Sequence, residues 1–224
     1  MHGNIAHPYT LNMIKEKLDT PLLESLEENG FVESTELESI CIPRIKSGRD
    51  LMCIAPDGAG KSTAIVVSIL NKLKASLADV PRAIVIVPDA ERAKEMKAVF
   101  GLLGQYTDLR VHTACEDEKI DDQKDKVYMG SDVVIGTAKR LNLIYSLYAL
   151  NLGSVKMMFI DDADLVIKSI NYVQIDRLTE SMPKVQKVVF ASDMTEWLDR
   201  FSNEFMNIQE VIEVEEADEN ENEL

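Results

Sequence analysis

Residues 55–63 read Ala55-Pro56-Asp57-Gly58-Ala59-Gly60-Lys61-Ser62-Thr63, a glycine-bearing turn that ends in Lys-Ser-Thr. The turn follows a short apolar run, residues 51–54, and opens an apolar segment, residues 64–77, so it lies between a strand and a helix. Such a turn is built to hold phosphate. Gly58 and Gly60 let backbone N–H groups turn inward, Lys61 neutralises the outer phosphates, and the Ser62 hydroxyl is placed to serve a magnesium ion at the helix N-terminus. The stretch therefore implies a site for a nucleoside triphosphate.

Outward from this turn, β-rich runs recur at residues 51–55, 83–87, 109–113, 132–135, 156–160, 187–191 and 211–214. Helical patterns separate most of them, at residues 63–77, 89–103, 138–150, 172–181 and 195–205. Strand–helix alternation of this kind predicts an α/β fold, a mainly parallel sheet with helices on both faces. Ala83-Ile84-Val85-Ile86-Val87 is apolar without alternation, as a strand buried on both faces should be. Ahead of the turn, residues 11–47 predict two helices joined at Asn29-Gly30, and residues 115–126 read as a charged loop. The expected divisions are an N-terminal helical segment over 1–47, a nucleotide-binding domain over 48–214 and an acidic, disordered tail over 215–224.

Composition bounds the partners. The net charge is −15, and residues 213–224 hold seven acids and no base, so the remainder carries −8. An acidic body argues against tight nucleic-acid binding, because the electrostatic footprint of such proteins is basic. No apolar run is long enough for a membrane span and the N-terminus lacks the order of a secretion signal, so the expected location is cytoplasmic. Cys41, Cys53 and Cys115 are scattered and predict buried thiols rather than disulfides or a zinc site.

A second acidic element supports the first. Met157-Met158-Phe159-Ile160-Asp161-Asp162-Ala163-Asp164 is an apolar strand that exits into three carboxylates within four residues. Beside a phosphate turn, one carboxylate can hold magnesium and its neighbour can orient an attacking water.

In their order along residues 11–214 these motifs resemble the first RecA-like domain of the DEAD-box RNA helicases. Gly30-Phe31-Val32-Glu33-Ser34-Thr35-Glu36-Leu37-Glu38 with Ile42-Pro43 is similar to the family's adenine-recognising Q motif. Pro88-Asp89-Ala90-Glu91-Arg92-Ala93 is similar to Pro-Thr-Arg-Glu-Leu-Ala, and Gly136-Thr137-Ala138-Lys139-Arg140 to Thr-Pro-Gly-Arg. Asp161-Asp162-Ala163-Asp164 takes the place of Asp-Glu-Ala-Asp, and Ala191-Ser192-Asp193 that of Ser-Ala-Thr. The resemblance implies a RecA-like P-loop NTPase fold that binds ATP through Phe31, Glu38, Ala55, Gly58, Ala59, Gly60, Lys61, Ser62 and Thr63. It implies Mg2+ on Ser62 and Asp161, catalysis through Lys61 and Asp162, and nucleic-acid contacts at Thr137, Lys139 and Arg140. For the last three the alternative is a helix start with solvated bases.

The departures from the family decide how much activity to expect. Ala55 replaces the usual first glycine of the turn. Glu38 replaces the glutamine, and its carboxylate can accept from the adenine amino group but cannot donate to the ring nitrogen beside it. The upstream aromatic that stacks on adenine falls at Met13. Asp162 is one methylene shorter than the glutamate that positions water, a displacement that can slow a reaction by about a hundredfold. Asp89-Ala90 replaces Thr-Arg, removing a cation from the expected RNA path, and no second RecA-like domain follows residue 214. The expectation is an ATP-binding domain, at best a weak Mg-dependent ATPase with weak nucleic-acid binding, that does not unwind alone. The alternatives are a non-catalytic interaction module, or one half of a helicase completed by a protein partner.

Overall fold

A computed structural model describes residues 17–31, 33–77, 79–182, 184–207 and 211–215. Strands β1 (Leu51–Ile54), β2 (Ala83–Ile86), β3 (Val111–Ala114), β4 (Val133–Gly136), β5 (Met157–Ile160), β6 (Gln186–Ala191) and β7 (Val211–Glu213) form one sheet. Its order is β3-β4-β2-β5-β6-β1-β7, and every neighbouring pair is parallel. Residue parity sorts each strand between two cores. Cys53, Val85, Ile135, Phe159 and Phe190 face one core, while Met52, Ile84, Val134, Met158 and Val189 face the other. Both faces are therefore apolar, which explains the unbroken hydrophobic runs.

Helices α1 (Thr20–Glu28), α2 (Glu36–Lys46), α3 (Lys61–Leu73) and α4 (Ala90–Leu103) supply the first core through Leu22, Leu37, Ile65, Ile69, Met96 and Phe100. Helices α6 (Ala138–Ser146), α7 (Ala163–Val166), α8 (Ser169–Glu180) and α9 (Glu196–Phe205) supply the second through Leu141, Ile144, Val166, Ile175, Leu178 and Phe201. The α/β architecture read from the sequence is the one observed.

The N-terminal pair of helices is present as α1 and α2, turning at Gly30 with φ 78°. Residues 1–16 lie outside the described residues, and Met13 with them. Residues 216–224 of the expected tail also lie outside.

The reading of 115–126 as a loop requires correction. Residues Ile120–Tyr128 form helix α5. Its buried positions are Gln123 and Val127, with Ile120 partly buried against the second core, so a polar residue interrupts the short inner face and the amphipathic pattern is weak in the sequence. Gln123 donates to the Cys115 carbonyl at 2.9 Å and accepts from Arg140 at 3.0 Å, so the helix is fixed by polar contacts from elsewhere in the chain. Two expected helices end early. Helix α3 stops before Lys74 (φ 62°) and α6 before Tyr148 (φ 58°), positive angles that interrupt helical geometry.

Because the sheet is parallel, the carboxyl ends of β1, β6 and β5 lie side by side at one edge. The turn after β1, the acidic motif after β5 and Ser192 after β6 meet there. This is where open α/β sheets bind ligands.

Candidate nucleotide site

The phosphate turn takes the shape its glycines permit. Gly58 and Gly60 sit at φ 83° and 98°, in the left-handed region, and Gly60 caps the N-terminus of α3. A Cβ at position 60 would meet Glu38 Oε1 at 2.6 Å and Thr35 Oγ1 at 2.8 Å, so glycine is required there twice over. Ala55 is buried and donates its N–H to the Ala191 carbonyl at 2.9 Å, extending the β1–β6 pairing into the turn. The Ala59 carbonyl accepts from Thr35 Oγ1 at 2.7 Å, which ties the turn to the start of α2.

Lys61 is 4% exposed and folds back under the turn. Its Nζ donates to the Ala55 carbonyl at 3.0 Å, to Ser192 Oγ at 2.7 Å and to Asp57 Oδ1 at 3.1 Å, and lies 3.9 Å from Asp162 Oδ1. The hydrogen bond from Lys61 holds the Asp57 carboxyl below the usual range, although Asp57 itself is exposed. Ser192 is positioned by its own N–H, which donates to Asp164 Oδ1 at 3.0 Å.

The acidic motif is paired to a residue the sequence reading passed over. Arg92, in the first turn of α4, donates from Nε to Asp161 Oδ2 at 2.8 Å and from Nη2 to Ser62 Oγ at 2.8 Å. The same Nε lies 3.2 Å from Asp162 Oδ2, and Nη1 reaches Glu95 Oε2 at 3.2 Å. Burial pushes the Asp161 carboxyl up to about 6; Arg92 opposes that rise and Asp162 adds to it. Its Oδ1 is buried without a hydrogen-bond partner among the described residues. Asp162 holds φ 48° at the N-terminus of α7, a left-handed conformation that aspartate tolerates better than most residues.

Ser62 and Asp161, expected to share magnesium, do come together, but the Arg92 guanidinium lies between them. Magnesium needs near-octahedral oxygen ligands at about 2.1 Å. The two side-chain oxygens that would contribute, the rest coming from phosphate and water, already accept from Arg92 N–H groups. With Arg92 so placed, neither oxygen is open to the ion.

On the base side, Glu38 is built into a helix cap. Thr35 Oγ1 accepts from the Glu38 N–H at 3.2 Å and Glu38 Oε2 accepts from the Thr35 N–H at 3.0 Å, a capping box. The Thr63 hydroxyl also bonds this carboxylate. Burial raises the Glu38 pKa, with the bonds from Thr35 and Thr63 opposing the rise. The recess lined by Phe31, Ser34, Glu38 and Thr63 holds about 10 Å3, at most about one water, so a base would lie across its mouth.

The three expected nucleic-acid contacts separate on inspection. Thr137 caps α6 and donates to the Glu116 carboxylate at 2.9 and 3.0 Å; it is 8% exposed. Arg140 is buried and donates to the Glu118 carbonyl at 3.1 Å and to Gln123. Both side chains are bonded within the chain rather than solvated. Lys139 alone of the three is exposed. It borders a hollow of about 550 Å3 whose rim also carries Asp89, Glu116 and Asp117. Carboxylates on that rim repel a phosphate backbone.

Sequence reasoning missed Arg92, Ser192 and Thr35 as parts of the site. A signal for Arg92 existed: it stands at the leucine of Pro-Thr-Arg-Glu-Leu-Ala. The cation absent at Ala90 reappears two residues on, about 200° round the helix, and so faces the phosphate turn.

Comparison with known proteins places this geometry. Residues 35–201 match the family model described as DEAD/DEAH box helicase. An ATP-dependent RNA helicase RhlB from Hamiltonella defensa is 28% identical over 203 residues, 87% of this chain and 48% of that protein. The RhlB of Yersinia pestis is 29% identical over 203 residues, 87% of this chain and 47% of its own length. The chain thus spans about half the length of these relatives. Among solved structures, a DEAD box protein from Methanococcus jannaschii aligns with TM-score 0.82 at 18% identity, over 88% of this chain and 54% of that one. The yeast DEAD-box splicing factor Prp28 aligns with TM-score 0.79 at 20% identity, over 92% of this chain and 51% of its own. With its seven-stranded parallel sheet, its phosphate turn and its acidic strand exit in the family's order, the chain belongs to the DEAD/DEAH box helicases.

Proposed function

We propose that the chain binds ATP through residues 55–63 and hydrolyses it slowly or not at all. One observation carries this reading: Gly58 and Gly60 at positive φ place the turn and Lys61 at the N-terminus of α3. Backbone N–H groups and the positive end of the helix dipole converge there on an anion. An incoming phosphate competes with Asp57 for Lys61, and the 93% exposed Asp57 side chain can swing away at little cost. Adenine is the preferred base in this reading, recognised by a Glu38 that accepts but does not donate while ionised.

Slow hydrolysis follows from Asp162. It is shorter than the glutamate it replaces, and Arg92 and Lys61 flank its carboxylate. Its oxygens are thus turned to two cations rather than to the position of an attacking water. Nucleic-acid binding is weak in this reading because carboxylates border Lys139. The matched relatives are named ATP-dependent RNA helicases. Helicase activity would need a second RecA-like domain, supplied by a protein partner or by sequence outside these residues. A cytoplasmic setting suits the three free, buried cysteines.

Calorimetry tests the reading. Wild type should bind ATP saturably, and Lys61→Ala should weaken binding by at least about tenfold, the size of one charged hydrogen bond. Absence of saturable binding by the wild type would overturn it. The acid-rimmed hollow favours a second reading, an interaction module in which nucleotide is structural. ATP that raises the melting temperature without being consumed supports that reading; phosphate release stimulated by RNA rejects it.

A further inference from the structure

Arg92 is placed where the family resemblance puts a metal ion. Its guanidinium bridges Ser62 Oγ and Asp161 Oδ2 at 2.8 Å each, and Asp162 Oδ2 lies 3.2 Å from the same Nε. Asp161 is fully buried and the Arg92 side chain is 24% exposed, so the cation closes the acidic pocket from the solvent side. A guanidinium is charged at every accessible pH and does not dissociate, which makes this a permanent cation.

Charge placement points the same way. Arg92 lies against both Asp161 and Asp162, and it shares its charge with Glu95 as Lys61 does with Asp57. The two carboxylates of the acidic motif therefore already have a cation beside them without a metal. A divalent ion added here would sit against a fixed guanidinium, and like charges a few ångströms apart in a poorly hydrated pocket repel strongly. The unpartnered Asp161 Oδ1 is buried, and the Arg92 guanidinium holds the other oxygen of the same carboxylate, so neither is turned to an ion arriving with the phosphates.

Resting on the reading that this turn binds a nucleoside triphosphate, we propose that Arg92 is a built-in cation in place of magnesium, so that the chain binds the metal-free nucleotide. The guanidinium has five N–H groups, and its bonds use one each on Nε, Nη1 and Nη2. Two remain to donate to phosphate oxygens, as arginine does elsewhere through its planar fork. Arg92 thus does for the nucleotide's charge what a metal would do, while holding Asp161 in place.

The test is ATP binding by calorimetry in excess magnesium and in excess EDTA, for wild type, Arg92→Leu and Arg92→Lys, with folding checked by near-UV circular dichroism. Wild type should bind as tightly in EDTA as in magnesium, or more tightly. Arg92→Leu should lose at least about tenfold in EDTA, the size of one charge-assisted hydrogen bond, and should regain affinity when magnesium is added. Arg92→Lys, which keeps the charge but not the fork, should bind in EDTA more weakly than wild type without gaining from magnesium. The wild-type comparison stands even where a variant fails to fold. Binding by wild type only with magnesium overturns the role of Arg92 and leaves the nucleotide site intact. No binding by wild type in either condition overturns both.

Discussion

Glu38 shows how one residue can serve a fold and compromise a ligand. Its carboxylate closes the Thr35 capping box and meets the Thr63 hydroxyl, while the family's glutamine would present both an acceptor and a donor to adenine. Glu38→Gln should tighten ATP binding by roughly tenfold, one regained hydrogen bond. Because burial raises the Glu38 pKa, a fall in pH protonates this carboxyl before an ordinary one and gives it an O–H donor. The advantage of Glu38→Gln over wild type should therefore shrink as pH falls toward the carboxylate range. Titrations at neutral and mildly acid pH check this; a constant ratio would remove Glu38 from base recognition. The capping box was legible in Thr35-Glu36-Leu37-Glu38. The motif marked Arg92 as a displaced cation but not what it binds, because its partners Ser62 and Asp161 lie 30 and 69 residues away and only the parallel sheet brings them together.

Among the elements, the amino ends of three strands are pinned by a single buried carboxylate. Asp132, just before β4, accepts from Arg82 Nη2 at 2.7 Å, ahead of β2, and from the N–H and Nε of Arg110 at 3.0 Å each, ahead of β3. Burial disfavours its charge, yet the bonds from Arg110 and Arg82 prevail and hold its pKa below the usual carboxylate range. Its stabilising effect is complete above the unfolded-state pKa of about 3.9 and is lost as pH falls through the lower folded-state value. Asp132→Asn should cost about 3 kcal/mol near neutral pH, as expected when one partner of a buried ion pair is removed, and less in acid, as pH falls through the lowered folded-state value. Urea unfolding at neutral and acid pH measures both. The central strands β2, β4 and β5 were readable because each is buried on two faces and thus apolar throughout. Helix α5 was not, since Gln123 on its inner face is satisfied by Cys115 and Arg140, contacts that no local pattern encodes.

For the whole molecule, the net charge of −15 and the carboxylates at the rim beside Lys139 set the expectation for RNA. Filter binding should detect at most weak retention of single-stranded RNA at physiological salt, and Lys139→Ala should change it by less than about threefold, since one exposed lysine contributes about one phosphate contact. Tight, salt-sensitive binding would contradict the role assigned to Asp89, Glu116 and Asp117. No helix among the described residues is long and apolar enough to cross a membrane. The close approach of Gly60 to Thr35 and Glu38 has a consequence for modularity. The phosphate turn is cast between two walls, β1 with its crossover helix on one side and the cap of α2 on the other, and Thr35 is bonded to both the turn and its own helix. Exchanging or trimming the region ahead of β1 would therefore recast the turn. The smallest piece of this chain that keeps the turn's walls begins at α2, one helix earlier than its nucleotide chemistry.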